Sequence, residues 1–443
     1  MTGTCATAAA AAMSAPFAGV GDDVAVNIGT DPGAGLRAEL VAQLTEHGEL
    51  TDPRVAAVLG EVPRHTFVPR VGLAEAYADQ AIVTRYRDGL PASSASQPAI
   101  VATMLEQLRP PPGGSVLEVG AGTGYNAALL SSLVGRSGRA VTVDIDPEVA
   151  AEARNRLSEA GIANVEVICG DGALGWPAGG PYDGIIVTAG ASDLAPAWFA
   201  QLAAAGRLVV PLSIMGVQQC VAFARADGHL RSVAVCEAGF MPLTGAMANA
   251  DIRLPVPGHP GVHVLAAAET EVDADLVGDA MTARGAAADI GTTAWALEVF
   301  GSLRRWLAFH HPASALLAYS GPAEGAEASG VPRLLEFPHD GNVQRSSPCL
   351  LGAAGFAVLD VAGREAPAGW SGLDTTFALA VCACGQAEQE AVRLGELVSA
   401  WDAANRPAAD RLRIDAYPSG FAVPDTEGSV HPATHATFVV SSL

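Results

Sequence analysis

The stretch SVLEVGAGTGYNAALLSSLVGRSGRAVTVDID, residues 115–146, decides the fold. SVLEV reads as a short buried strand, with Glu118 as its one charge. The run G-A-G-T-G at 120–124 breaks that pattern, and YNAALLSSLV resumes it with helical spacing. AVTVDID is a second strand. A strand, a glycine-rich turn, a helix and another strand describe a βαβ unit, in which the two strands run parallel.

The alternation continues downstream. PEVAAEARNRLSEAG opens with proline at its first helical turn, and VEVICGDG, YDGIIVTAG and GRLVVPL are further strands, with LAPAWFAQLAAAG as a helix between the last two. This predicts a doubly wound, mostly parallel α/β sheet. QQCVAFARA-DGH-LRSVAVCEAGFMPL reads as a hairpin that closes it. Upstream, residues 36–47 read as an amphipathic helix and 52–63 as a second short one. The Pro/Gly-rich RLPVPGHPG at 253–261 marks a boundary. The expected organisation is a disordered leader over 1–34, a domain over 35–250 with its acceptor segment in 35–110 and its core in 111–250, a linker over 251–262, and a C-terminal α+β domain over 263–443. In that last domain a helix is expected near 294–309, strands near 354–361 and 375–383, another helix near 386–403, and a strand at RLRIDAYP.

Twenty-five basic against 47 acidic residues leave a formal charge of −22, and lysine is absent altogether. That field repels phosphate backbones, so nucleic acid is not expected as a partner. Without lysine, P-loop and Schiff-base chemistry are excluded. No apolar run is long enough to cross a membrane, and the N-terminal stretch has no basic residue before Arg37, unlike a secretory signal. Seven cysteines without paired spacing fit a reducing, cytoplasmic setting. Cys382 and Cys384 lie one residue apart on a strand with no partner pair, so packing rather than metal binding is expected.

Gly120, Gly122 and Gly124 let a ligand approach the backbone at a helix N-terminus. Asp144 ends the next strand, where a carboxylate can take both ribose hydroxyls. Gly170, Asp171 and Gly172 end the third, with Asp171 in reach of an adenine amino group. The spacing G-x-G-x-G, without the extra residue of a dinucleotide turn, favours S-adenosylmethionine over a nicotinamide cofactor. Glu118 is then placed to meet the ammonium of its methionine part, and Ile145 joins the cofactor set.

VPRHTFVP, AYAD, SQPAIVATMLEQL, VLEVGAGTGYNAALLSSLVG, GDGALGWP, PYDGIIVTA, LVVPL and FMPLTG, in that order from about 54 to 247, resemble the protein-L-isoaspartate O-methyltransferase family. The resemblance implies a Rossmann-like fold, S-adenosylmethionine, and methyl transfer to a carboxylate derived from aspartate. By alignment with its hydroxyl pair before QP, it assigns Ser94 and Ser96 to the acceptor. Such an acceptor is already an anion, so it needs placement and partial dehydration rather than a general base. Hydroxyls and free N–H groups at a helix mouth supply that. Ser93, Gln97, Thr188, Ala189, Arg85 and Arg87 complete the expected substrate side. Thr188 and Ala189 stand where methyltransferases of base amino groups commonly carry an Asn/Asp-Pro-Pro-aromatic tetrapeptide.

The chain departs from ordinary members in two places. AIVTRYRDGLPASSAS replaces a lead-in of the PLPIGxGQTIS type, and about 190 residues follow the shared region. The arrangement resembles the subfamily found with lanthipeptides and other ribosomally made, modified peptides. By that resemblance the acceptor is a specific aspartate in a constrained, cyclised peptide, and the tail helps bind it. Its methyl ester loses methanol as the next backbone nitrogen closes a succinimide, which hydrolyses mostly to isoaspartate. Repair of isoaspartyl proteins is the alternative within the same chemistry. A non-catalytic peptide-binding subunit on the same scaffold is the alternative from another class.

Overall fold

The computed structural model describes residues 31–87, 90–248, 251–339, 342–362, 376–426 and 428–442. Of the leader expected over 1–34, residues 1–30 lie outside the described residues. Helices Ala34–Glu46 and Pro53–Glu61 precede a hairpin of β1 (Ile82–Arg87) and β2 (Leu90–Ala95), which leads into the helix Pro98–Leu108. The second helix starts where Asp52 accepts the Arg54 N–H and Pro53 needs no donor, and it stops at Val62, before Pro63.

The α/β core follows in the expected order: β3 (Ser115–Val119), β4 (Arg139–Asp144), β5 (Val165–Cys169), β6 (Tyr182–Val187), β7 (Leu202–Ile214), β8 (Val217–Ala226) and β9 (His229–Glu237). β3 pairs in parallel with β4 and β6, β4 with β5 and β6 with β7, while β7, β8 and β9 are antiparallel neighbours. Helices cover both faces, which is why β3 and β6 are almost continuously buried and read as apolar runs. The result is a Rossmann-like doubly wound sheet.

The hairpin β8–β9 does not close that sheet. After it the chain builds a second, antiparallel sheet from β10 (Ile252–Pro255), β11 (Val262–Ala266), β12 (Ala288–Trp295), β13 (Ser314–Pro322), β14 (Leu335–His339), β15 (Asn342–Gly352), β16 (Gly355–Val361) and β17 (Thr376–Gly385). Its order is β10-β11-β13-β15-β16-β17-β12, with β14 beside β15. The helix Glu388–Ala403 packs against it through Leu394, Leu397, Val398 and Trp401. Then β18 (Leu412–Pro418), β19 (Ser429–Pro432) and β20 (Ala436–Ser442) return to the first sheet, where Ala416 pairs with Leu230 and Asp415 with Arg231. The first sheet thus has ten strands, ordered β19-β20-β18-β9-β8-β7-β6-β3-β4-β5. A separate body over 263–443 was expected; its last strands instead cover the edge of β9, which would otherwise stand open. Asp415, almost wholly buried, anchors the junction by accepting from Arg231 Nε at 2.7 Å.

Two further elements differ from the expected ones. The helix before β7 is short, Pro196–Gln201, because Leu202 already pairs with Tyr182. The helix expected near 294–309 begins only after β12 ends at Trp295, and it contains a wide turn over Val299–Leu303. Gly301 in that turn lies against the Glu237 carboxylate, which Arg305 Nη1 meets at 3.0 Å. This partly buried pair joins the helix that follows β12 to the end of β9.

Candidate active site

The carboxyl ends of β3, β4 and β6 open into one cavity, the position at which doubly wound sheets bind ligands. Gly120, Gly122 and Gly124 all have positive φ, at 100°, 50° and 84°. At Gly120 conformation and space agree: a Cβ there would stand 2.5 Å from Thr188 Oγ1. Asp144 closes the turn from the far side. Its Oδ2 accepts the Gly122 N–H at 3.2 Å and its Oδ1 the Asp146 N–H at 3.0 Å. Burial raises its pKa despite these bonds. Gly120, Gly122, Asp144, Ile145 and Gly172 line the cavity.

The other four cofactor-side residues are Glu118, Asp171, Gly170 and Gly124, of which only Glu118 reaches the lining. Glu118 lies under the glycine turn, wholly buried. Its Oε1 accepts from Asn126 Nδ2 at 2.7 Å and its Oε2 from Thr142 Oγ1 at 2.5 Å. Burial pushes its pKa up to about 7, against the pull of the Thr142 and Asn126 bonds. Each oxygen carries one hydrogen bond, and the residue forms part of the cavity floor. Asp171 caps its own turn by accepting from the Ala173 N–H, and it fastens the loop after β9 by accepting from the Ala246 N–H at 2.8 Å. Neither Asp171, Gly170 nor Gly124 is part of the lining.

Across the cavity stand Ser93, Ser94 and Ser96, with Thr188 and Ala189 on the adjoining wall. None of the serines caps the helix that follows. Asp79 serves it from the side, accepting the Ala99 N–H at 2.9 Å through Oδ1 and Gln97 Nε2 at 2.8 Å through Oδ2. All three serines line the cavity wall, while Gln97, expected at the substrate, donates to Asp79 instead. Arg85 and Arg87 are also placed elsewhere. Arg85 bridges Glu148 and Glu152 at 2.7 and 2.6 Å, and Arg87 pairs with Asp146 at 3.1 Å. Opposite charge on the helix Pro147–Glu159 draws them there, so they fasten the hairpin to that helix.

Sequence reasoning passed over one wall, Phe240–Thr244, although FMPLTG was visible as a motif. It is held by Gly190, whose N–H donates to Met241 O and whose carbonyl accepts the Leu243 N–H. Among the described lining residues there is no His, Lys, Arg or Cys.

Residues 36–248 match the family model described as protein-L-isoaspartate(D-aspartate) O-methyltransferase. A protein-L-isoaspartate O-methyltransferase of Methanoregula boonei is 42% identical over 196 residues, which is 44% of this chain and 87% of that one. The chain belongs to this family. One from a Polaromonas species is 41% identical over 205 residues, 45% and 93% of the two chains. A solved protein-L-isoaspartate O-methyltransferase aligns with 92% of this chain and 99% of its own at 22% identity and a TM-score of 0.47. A Plasmodium falciparum structure solved with S-adenosyl-L-homocysteine aligns with 47% of this chain and 98% of its own, at 18% identity and a TM-score of 0.41. Family membership makes the protein a carboxyl O-methyltransferase that uses S-adenosylmethionine, and the reading as a non-catalytic scaffold falls. The glycine turn and the Asp144 carboxylate, both on the cavity wall, fit that cofactor.

Proposed function

We propose that the protein methylates the free carboxylate of isoaspartyl residues in peptide or protein segments, the first step of their repair. One observation carries this reading: Ser93, Ser94 and Ser96 line the same cavity as the glycine turn, and among its described lining residues there is no cationic side chain and no histidine. Such a site suits an acceptor that is already a nucleophile at neutral pH. The cofactor supplies an electrophilic methyl group. Ser94 and Ser96 hold the acceptor carboxylate by donating to one of its oxygens, which leaves the other free to attack in line. The glycine turn and Asp144 hold the cofactor's polar groups, and the Phe240–Thr244 wall excludes water. No proton moves in the transfer. In the ester, the following backbone nitrogen attacks the carbonyl, methanol leaves, and the resulting succinimide hydrolyses to aspartate or isoaspartate.

A second reading is favoured by the hairpin fastened to the helix Pro147–Glu159 and by the sheet over 252–385, which lies beyond the family match. Both suit a more selective acceptor, an aspartate in a ribosomally made, constrained peptide. Mass spectrometry with a generic isoaspartyl peptide and a cyclised aspartyl peptide separates the two. A methyl ester on the isoaspartyl peptide supports repair. An ester on ordinary aspartate followed by loss of methanol, with the isoaspartyl peptide untouched, supports peptide tailoring.

A further inference from the structure

The row of serines is held from behind by an arginine that neither the cavity nor any ion pair accounts for. Arg64 is wholly buried. Its Nη2 donates to Ser96 O at 3.0 Å and Gln80 O at 3.2 Å, with Ala95 O at 3.5 Å. Gln80 precedes β1 and Ser96 follows β2, so one guanidinium grips both stems of the hairpin. Its Nε and Nη1 have no hydrogen-bond partner among the described residues, and the same holds for Gln97 Oε1. The Tyr125 ring, which lines the cavity, stands 5.8 Å from the guanidinium carbon. Asp79 lies near enough to favour the charge, yet its two oxygens are taken by Gln97 and Ala99.

A buried guanidinium with two idle nitrogens is a poor contributor to stability, because desolvation costs several kcal/mol and no carboxylate binds it directly. Its placement has another consequence. An anionic acceptor must enter a cavity that already contains the Asp144 carboxylate. Repulsion between like charges is strong in a low dielectric, and the described lining holds no cation to offset it. Arg64 provides a positive charge behind the serine segment, within hydrogen-bond distance of the Ser96 carbonyl.

We propose that Arg64 is a positioning residue for the carboxylate acceptor: it fixes the Ser94–Ser96 segment through the Ser96 carbonyl and offsets the negative wall opposite. This rests on the acceptor proposed above. Two variants separate its parts, since Arg64→Met loses charge and donors while Arg64→Lys keeps the charge and loses the double grip. With an isoaspartyl peptide, Arg64→Met raises the peptide KM on the order of tenfold or more, while the S-adenosylmethionine dissociation constant moves less than about twofold. Arg64→Lys recovers part of the loss. Hydrogen exchange in the same proteins speeds up at amides 93–97 in Arg64→Met and stays unchanged at 116–119.

Parallel loss of peptide and cofactor affinity, wild-type kinetics in Arg64→Met, or unchanged exchange at 93–97 would overturn the proposal. The exchange contrast needs no methyl acceptor. A wild-type protein inactive on isoaspartyl peptides therefore refutes the acceptor without deciding the role of Arg64. Should Arg64→Met not fold, the same readouts on Arg64→Lys decide it.

Discussion

Asp193 Oδ2 accepts the backbone N–H of His435 at 2.6 Å, a bond that spans 242 positions of the chain. Asp193 belongs to the loop that follows Thr188 and Ala189, and His435 to the turn between β19 and β20, so the tail braces the loop that walls the cavity. Oδ1 accepts the Leu194 N–H at 2.7 Å. Asp193→Ala leaves both buried donors unpaired and is expected to cost about 2 kcal/mol, seen as a lower urea midpoint. Removing residues 409–442 strips Ile414, Phe438 and Val440 from the core and opens the edge of β9. That truncation is expected to yield insoluble protein, and a soluble, active product would contradict the bracing role.

Gly120→Ala tests the cofactor turn. A methyl group there meets Thr188 Oγ1 and forces a backbone at φ 100° that alanine avoids. S-adenosylmethionine binding by calorimetry is expected to weaken on the order of a hundredfold. Gly60→Ala, in the second helix with nothing within 4 Å, leaves binding unchanged.

Glu118 gives the ligand-free protein a pH dependence of known sign. Its carboxyl is raised from 4.5 to about 7, so the native state keeps a proton that the unfolded chain has released. The stability from this group is complete below about pH 4.5 and disappears as pH rises through about 7, a span worth about 3 kcal/mol. Urea midpoints on either side of that window are expected to diverge in the wild type and to converge in Glu118→Gln. An unchanged difference between the two conditions in that variant would refute the assignment.

Arg85 and Arg87 separate fastening from substrate recognition. Their partners are partly exposed, so each pair contributes less than about 1 kcal/mol and weakens in salt. Arg85→Gln with Arg87→Gln is expected to change peptide KM less than about threefold and to quicken amide exchange across β1. A large rise in KM with unaltered exchange would return both to the substrate.

The core of the fold was legible because β3 to β6 and their helices are local units, each with its own apolar period and glycine or proline stop. The return of β18–β20 was not, since the pairing of Ala416 with Leu230 joins positions 186 apart and leaves no mark on either segment. The same separation explains the site. Gly120 and Asp144 stand out by turn and strand-end position, and Ser94 only through the resemblance to the family. The true partners of Arg85, some sixty residues on, and Asp79 as the cap for Ala99 do not. Gln97 was misplaced for that reason: beside SSAS it reads as one more polar group at the helix mouth, until Asp79 claims it.

The account turns on the serine row as the holder of an anionic acceptor, and steady-state kinetics of Ser94→Ala combined with Ser96→Ala on an isoaspartyl peptide test it most directly. The predicted result is a fall in peptide kcat/KM on the order of a hundredfold, with S-adenosylmethionine binding unchanged by calorimetry. Peptide kinetics equal to wild type, or an equal loss of cofactor binding, would contradict it.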